Sequence, residues 1–257
     1  MIINNNISAI NTRNQLFNTN AASSKSMEKL SSGKRINRAA DDAAGLSISE
    51  KMRAQIRGLN QAARNAQDGI SLIQTAEGAL DEVSNMLVRL KELAVQKVNG
   101  TYNSDDKANL KLEMDSLADE IDNIFANTKF NGSSVLTSSV GIIISDDGTT
   151  ALTIKATSGT SITGLSSSSE VGDIETAIEK VNMARATYGA SQNRLESTVR
   201  NLKTTSENLQ AAESRIRDTD MAQEMSTFTK NNILIQAGTA MLAQANQAPQ
   251  NVLSLLR

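Results

Sequence analysis

Six residues, Val181, Tyr188, Leu195, Leu202, Leu209 and Ile216, fall seven apart in one unbroken register. A side chain that returns every seven residues stays on one stripe of a helix, because seven residues make close to two turns. A strand would throw alternate members of the set onto opposite faces. The register therefore commits the segment to a long helix packed along a partner. The other seam positions are mixed: Ile178 and Val199 are apolar, whereas Arg185, Gln192 and Glu213 are not. Such a seam suits a multi-helix bundle rather than an isolated two-stranded coil.

The first half carries a matching pattern. Met52, Ile56, Leu59, Ala63, Ala66, Ile70 and Ile73 recur in steps of four and three, and Leu80, Val83, Leu87, Leu90 and Ala94 continue it after a frame shift at Ala76. A helix of about 50 residues spans roughly 75–80 Å. "NGTYNSDD" breaks it, with Gly100 suited to close one helix and Ser104 or Asp105 to open the next. Helices are thus predicted over about 46–98, 105–127 and 171–212. Ile142–Ile144 and Ala151–Ile154 flank "DDGT", which predicts one short hairpin, followed by a Ser/Thr/Gly-rich loop within about 133–170. The predicted fold class is mainly α: long antiparallel helices forming a rod-like bundle or coiled coil, with one small β-hairpin region.

Both ends carry thin apolar stripes. Ile3, Ile7, Ile10 and Phe17 form one; Met221, Met225 and Phe228 form the other, with Ile233–Ile235 and Leu242 beyond. Aromatic residues make up only 2% of the chain and Trp is absent, so apolar burial must come from helix seams or from other copies of the chain. A thin stripe does not hold a lone helix in water. Each end is expected to find its partner in the other end and in neighbouring subunits. Pro249, the single proline, is expected to end the last regular helix and to leave "NVLSLLR", with Leu255 and Leu256, as an apolar plug.

Several functions are excluded by composition. The net charge is −2, with 26 basic and 28 acidic residues interspersed, and no basic patch with interleaved aromatics points to nucleic acid. No run of 18 apolar residues predicts membrane insertion, and the N-terminus lacks the pattern of a cleaved signal peptide. With no histidine and no cysteine, the common zinc sites and nucleophile–base pairs are excluded, so neither a cofactor nor an enzymatic activity is expected. "SSGKR" lacks the glycine spacing of a phosphate loop, and "SDDGTT" lacks that of a calcium loop. Asp41-Asp42 reads as part of a connection or a subunit contact, not as an acid–base pair.

"LSSGKRINRAADDAAGLSISEKMRAQIRGLNQAARNAQDGISLIQTAEGAL" (Leu30–Leu80) and "MARATYGASQNRLESTVRNLKTTSENLQAAESRIRDTDMAQEMSTFTKNNILIQAGTAMLAQANQAPQNVLSLLR" (Met183–Arg257) resemble the two ends of bacterial flagellin. The resemblance covers nearly everything outside roughly 133–170, where the chain is unusually short for that family. It implies a structural subunit that polymerises into the flagellar filament for motility. Residues 1–45 and 213–257 would form an inner coiled coil and 46–212 a rod domain. Ile3, Ile7, Ile10, Phe17, Met221, Met225, Phe228, Leu242, Leu255 and Leu256 would build the inner core. Gly33, Arg35, Asp41, Asp42 and Gly45 would lie in the connection between domains. The implied partners are other copies of the chain, the type III export apparatus with its chaperone, the filament cap and the hook-associated proteins. The implied location is the extracellular filament.

The resemblance also implies a secondary role as ligand of the mammalian Toll-like receptor for flagellin. Arg89, Leu93 and Glu113 match recognised positions, and Arg89 and Leu93 are expected to point away from the core stripe. Val88 stands where receptor-activating members typically carry Gln. The Ser/Thr residues of 133–169 are candidate O-glycan acceptors, with a flexible loop as the plainer reading. A hook–filament junction protein, which shares the terminal helices, is the alternative.

Overall fold

The computed structural model describes residues 6–157 and 162–255, with side chains described as far as residue 247. Five helices account for most of it: α1 (Ile7–Ser32), α2 (Ala43–Val98), α3 (Ser104–Asn127), α4 (Val171–Arg217) and α5 (Met221–Leu255). Four short strands, β1 (Lys129–Phe130), β2 (Ser133–Ser134), β3 (Val140–Ile143) and β4 (Ala151–Ile154), form two separate antiparallel hairpins. The chain divides into two compact units, one of Met1–Arg53 with Leu209–Arg257, the other of Ala54–Asn208.

The second unit holds the apolar core. The first members of the seven-spaced set pack inward: Val181, Tyr188 and Leu195 are buried together with Leu80, Val83 and Leu87 of α2. Ile121 and Phe125 of α3 complete the contact, so three helices share one interior. A smaller adjoining cluster joins Leu90, Leu93 and Ala94 to Met114, Ala118 and Ile174.

The hairpin β3–β4 pairs Val140 with Ile154 and Ile143 with Ala151, which sends Ile142 and Leu152 into the same core. It lies along α2 at positions that leave room for it. A Cβ on Gly58 would meet the backbone oxygen of Asp146 at 3.0 Å, and one on Gly69 would collide with Ile142. Between them Asn65 Nδ2 donates to Ile143 O at 3.2 Å.

Four expectations about local structure are corrected. A second hairpin, β1–β2, turns at Asn131 and Gly132, whose φ values of 48° and 80° are the left-handed pair that a two-residue hairpin loop requires. Within the described residues of the Ser/Thr-rich stretch, Val135, Leu136 and Ile162 are buried among the helices, in place of a wholly free loop. The cap of α3 is Asn103, whose side chain accepts from Asp106 N, in place of Ser104 or Asp105. Gly100 is not among the glycines with positive φ, so it supplies no left-handed cap to α2.

The first unit pairs α1 with α5. Asn6 opens α1 by accepting from Ala9 N, and Gly33 closes it at φ 69° with its N–H on Lys29 O. Asp220 opens α5 by accepting from Ala222 N and Gln223 N at 2.9 and 3.2 Å. Pro249 does not end α5, which continues to Leu255. A proline inside a helix removes one N–H, so the ladder loses the bond to the carbonyl four residues back, that of Ala245. That carbonyl finds another donor outside α5.

Candidate interaction surfaces

The seam between α1 and α5 is made of small and polar side chains. Thr19, Ser23 and Ser26 are the buried residues of α1. Ser23 Oγ lies 3.4 Å from Asn232 Oδ1, and Leu16 fits over Gly238, where a Cβ would stand 3.3 Å from its Cδ1. The large apolar residues point elsewhere. Phe17 is 74% exposed and Ile7 60%, with Ile10, Met221 and Met225 also exposed and Phe228 and Leu242 half-buried. The two ends pair with each other as expected, but through the small-residue seam, and Ile7, Ile10, Phe17, Met221 and Met225 stay open within the chain. Small residues let the backbones approach closely, and the bulky ones are left on the outer faces. Ile3 and Leu256, and the side chain of Leu255, lie outside the described residues.

Sequence reading missed part of this surface. Met27, 55% exposed, and Met241 also lie open. For Met241 a signal was present, since it stands seven residues after exposed Leu234. An open groove of about 470 Å³ runs between Gln15, Leu16, Leu234 and Met241. Charge is nearly absent here: between residues 1 and 24 only Arg13 is ionised, and α5 carries no charged residue beyond Lys230.

The connection between α1 and α2 is pinned within the first unit. Lys34 pairs with Asp218 in an isolated β-bridge, Arg35 N donates to Arg217 O at 2.7 Å, and Thr219 N donates to Gly33 O at 3.1 Å. Arg35 Nη2 donates to Ile216 O at 2.6 Å, occupying a carbonyl that the end of α4 leaves free. Asp41 Oδ2 accepts from the backbone N–H groups of Asn37 and Arg38. Its Oδ1 lies 2.8 Å from Lys25 Nζ. The Lys25 ammonium and these backbone donors hold the Asp41 carboxyl at about 2, below its usual value. Asp42 Oδ1 accepts from Gly45 N at 2.9 Å, and a side chain at Gly45 would collide with Asp42 and Ile36. Both carboxylates therefore hold backbone in place. Near them Arg217, largely buried, donates through Nη1 to Glu50 Oε1 at 2.5 Å. The sequence pattern gave no hint of that pair, which joins residues 167 positions apart.

In the second unit, Arg89 and Glu113 come together. Arg89 Nη2 and Nε reach Glu113 Oε1 at 2.9 and 3.1 Å, and Nη1 reaches Glu92 Oε2 at 3.3 Å. Both partners are about half exposed, and Val88 beside them is open. Leu93 is different. It is 1% exposed, packed with Leu90, Ala94 and Met114, which corrects the expectation that it points outward with Arg89. Two partner elements, α3 and α4, close on this part of α2, so its buried arc is wider than a single heptad stripe. Among the described residues no group of three His, Cys, Asp or Glu is placed to hold a metal ion, and no helix is long and apolar enough to cross a membrane.

Comparison with known proteins bears on both units. Residues 3–140 match the model of the bacterial flagellin N-terminal helical region, and residues 171–256 match that of the C-terminal helical region. The chain is 52% identical to a flagellin of Halalkalibacterium halodurans and 50% identical to a flagellin of Bacillus subtilis, each covered along its full length. It is 48% identical, again over both full lengths, to a flagellar filament 33 kDa core protein of Treponema phagedenis. Among solved structures, a crystal structure of Bacillus cereus flagellin matches at a TM-score of 0.50 and 36% identity, covering 58% of this chain and 94% of that one.

Proposed function

The chain belongs to the bacterial flagellin family, and we propose that its α1–α5 pair is the surface by which copies of this filament subunit join one another. The observation that carries the reading is the outward display of Ile7, Ile10, Phe17, Ile233 and Met241 on stretches of α1 and α5 where Arg13 and Lys230 are the only charged residues nearby. Large apolar residues set in such a patch favour burial against a like surface. Burying one such side chain contributes about 1.5–3 kcal/mol. The role is structural, without catalysis, and the subunit works outside the cell as part of the flagellum after type III export. The test is assembly of the full chain, followed by sedimentation and electron microscopy. Phe17→Asp is expected to raise the concentration needed for filaments at least about tenfold, since a buried carboxylate without a partner is strongly disfavoured. Unchanged assembly would remove Phe17 from the interface.

A second reading concerns host recognition. The half-exposed Arg89–Glu113 pair, with Val88 open beside it, offers a planar guanidinium and an aliphatic neighbour of the kind that anchors protein interfaces. We place the contact with the Toll-like receptor for flagellin at Arg89 and Glu113, and leave Leu93 to the core. In receptor-reporter cells Arg89→Ala is expected to lower signalling by free subunits; a signal equal to the parent's would end this reading.

A further inference from the structure

One contact in the first unit accounts for how α5 runs through its single proline. In an α-helix the N–H of residue 249 would bond the carbonyl of residue 245, and Pro249 has no N–H to give. Asn6 supplies the missing donor: its Nδ2 reaches Ala245 O at 2.6 Å. The same side-chain amide closes the start of α1, where its Oδ1 accepts from Ala9 N at 3.1 Å. Both contacts require one orientation of the amide. Turned over, it would set its NH₂ against the Ala9 N–H and its oxygen against the Ala245 carbonyl.

We propose that Asn6 is a register clamp that fixes how far α1 is slid along α5. The carbonyl it grasps is singled out by the chain's one proline, because carbonyls elsewhere in a helix interior are occupied by the ladder. A slip of one turn, about 5.4 Å, would carry the amide away from that carbonyl and leave it empty. At the Gly33 end the Lys34–Asp218 bridge and Thr219 N–Gly33 O already set the register, so the clamp acts on the far end of the pair, where the seam between them specifies it weakly. Thr19, Ser23 and Ser26 are small and similar, and Lys29–Glu224 at 3.8 Å is the one ion pair between the two helices among the described residues. Lys29 lies near the end of α1 and Asn6 at its start, so the two contacts hold opposite ends of the helix. The clamp is intramolecular and stands independently of the filament reading.

The chain has no cysteine, which gives a clean readout in the full-length protein. Ser23→Cys with Asn232→Cys joins positions whose side-chain oxygens lie 3.4 Å apart. Ser23→Cys with Gln236→Cys reports a slip of one turn. The ratio of intramolecular disulfide formation in the two pairs reads the share of in-register molecules, even where paired helices are the minor state. Asn6→Asp keeps a good cap on α1, deletes the donor and turns a carboxylate oxygen toward the Ala245 carbonyl, so the uncharged Asn6→Ser variant isolates the loss of the donor. It is expected to lower the ratio about twofold to tenfold, the range of one hydrogen bond. Asn6→Ser, which also caps without donating an amide, is expected to do the same. Pro249→Ala restores an N–H to the Ala245 carbonyl, and in that background the Asn6→Asp effect is expected to fall below about half its size. An effect equal in both backgrounds would reduce Asn6 to a cap alone, and no effect in the parent would remove the clamp; either overturns the proposal.

Discussion

Tyr188 of α4 and Thr157, just beyond β4, join their hydroxyls at 3.0 Å in a site closed to solvent. Tyr188→Phe would leave the Thr157 hydroxyl buried without its partner, and is expected to lower stability by about 1–3 kcal/mol. Burial raises the Tyr188 pKa above its usual value of 10.0. As pH rises, the unfolded chain therefore gives up the phenol proton first, and stability present below about pH 10 is lost through the folded-state pKa. Urea midpoints at pH 8 and 11 are expected to show the gap between parent and Tyr188→Phe narrowing at the higher pH.

Gly58 and Gly78 stand on the same helix and should respond oppositely to alanine. A Cβ at Gly78 meets nothing within 4 Å, so Gly78→Ala is expected to stabilise the free chain by about 0.5–1 kcal/mol through backbone entropy alone. At Gly58 the new atom would stand 3.0–3.1 Å from the Asp146 backbone and push the hairpin turn off α2. Gly58→Ala is expected to lose that gain and to speed hydrogen exchange of the β3–β4 amides. Equal thermal shifts for the two variants would count against the packing described for the hairpin.

The Asp41 carboxylate sets an acid-side expectation. Its folded value of about 2, against 3.8 ordinarily, means that the unfolded chain binds the proton first as pH falls. Its contribution is therefore present above about pH 4 and lost between there and about pH 2. Asp41→Asn is expected to lower stability at pH 7 and to flatten the decline below pH 4, read as denaturant midpoints across that range.

Leu93 and Arg89, four apart on α2, should separate stability from recognition. Leu93→Ala opens a cavity beside Leu90 and Met114 and is expected to cost about 2–5 kcal/mol. Arg89→Ala removes exposed ion pairs and is expected to change stability by less than about 1 kcal/mol. Calorimetry of the two variants checks this, and a mild effect at Leu93 would return it to the surface.

The helices were legible because α2 and α4 write their buried faces into the chain at steps of three, four and seven, and Val181 through Leu202 are buried where the register puts them. The hairpin at "DDGT" was legible from its turn chemistry, with Gly148 at φ 75°. "NG" at Asn131-Gly132 carried the same turn signal, but it stands beside strands of two residues each, too short to show an alternating pattern. Leu93 was misplaced because periodicity describes one partner surface, whereas α3 and α4 both pack on that stretch. Pro249 was misread because a local rule sees the lost N–H, not the Asn6 amide arriving from 239 residues away. The seam of Thr19, Ser23 and Ser26 escaped for a related reason: small polar residues look like surface until two backbones close over them.

The near absence of charge along the first 18 residues of α1 and along α5 beyond Lys230 has a consequence for how this surface answers its medium. With Arg13 alone ionised among residues 1–24 and none in α5 after Lys230, ionic strength has almost no Coulomb attraction to weaken there. Sulfate or phosphate, excluded from apolar area, would drive the faces together, and cooling would loosen them.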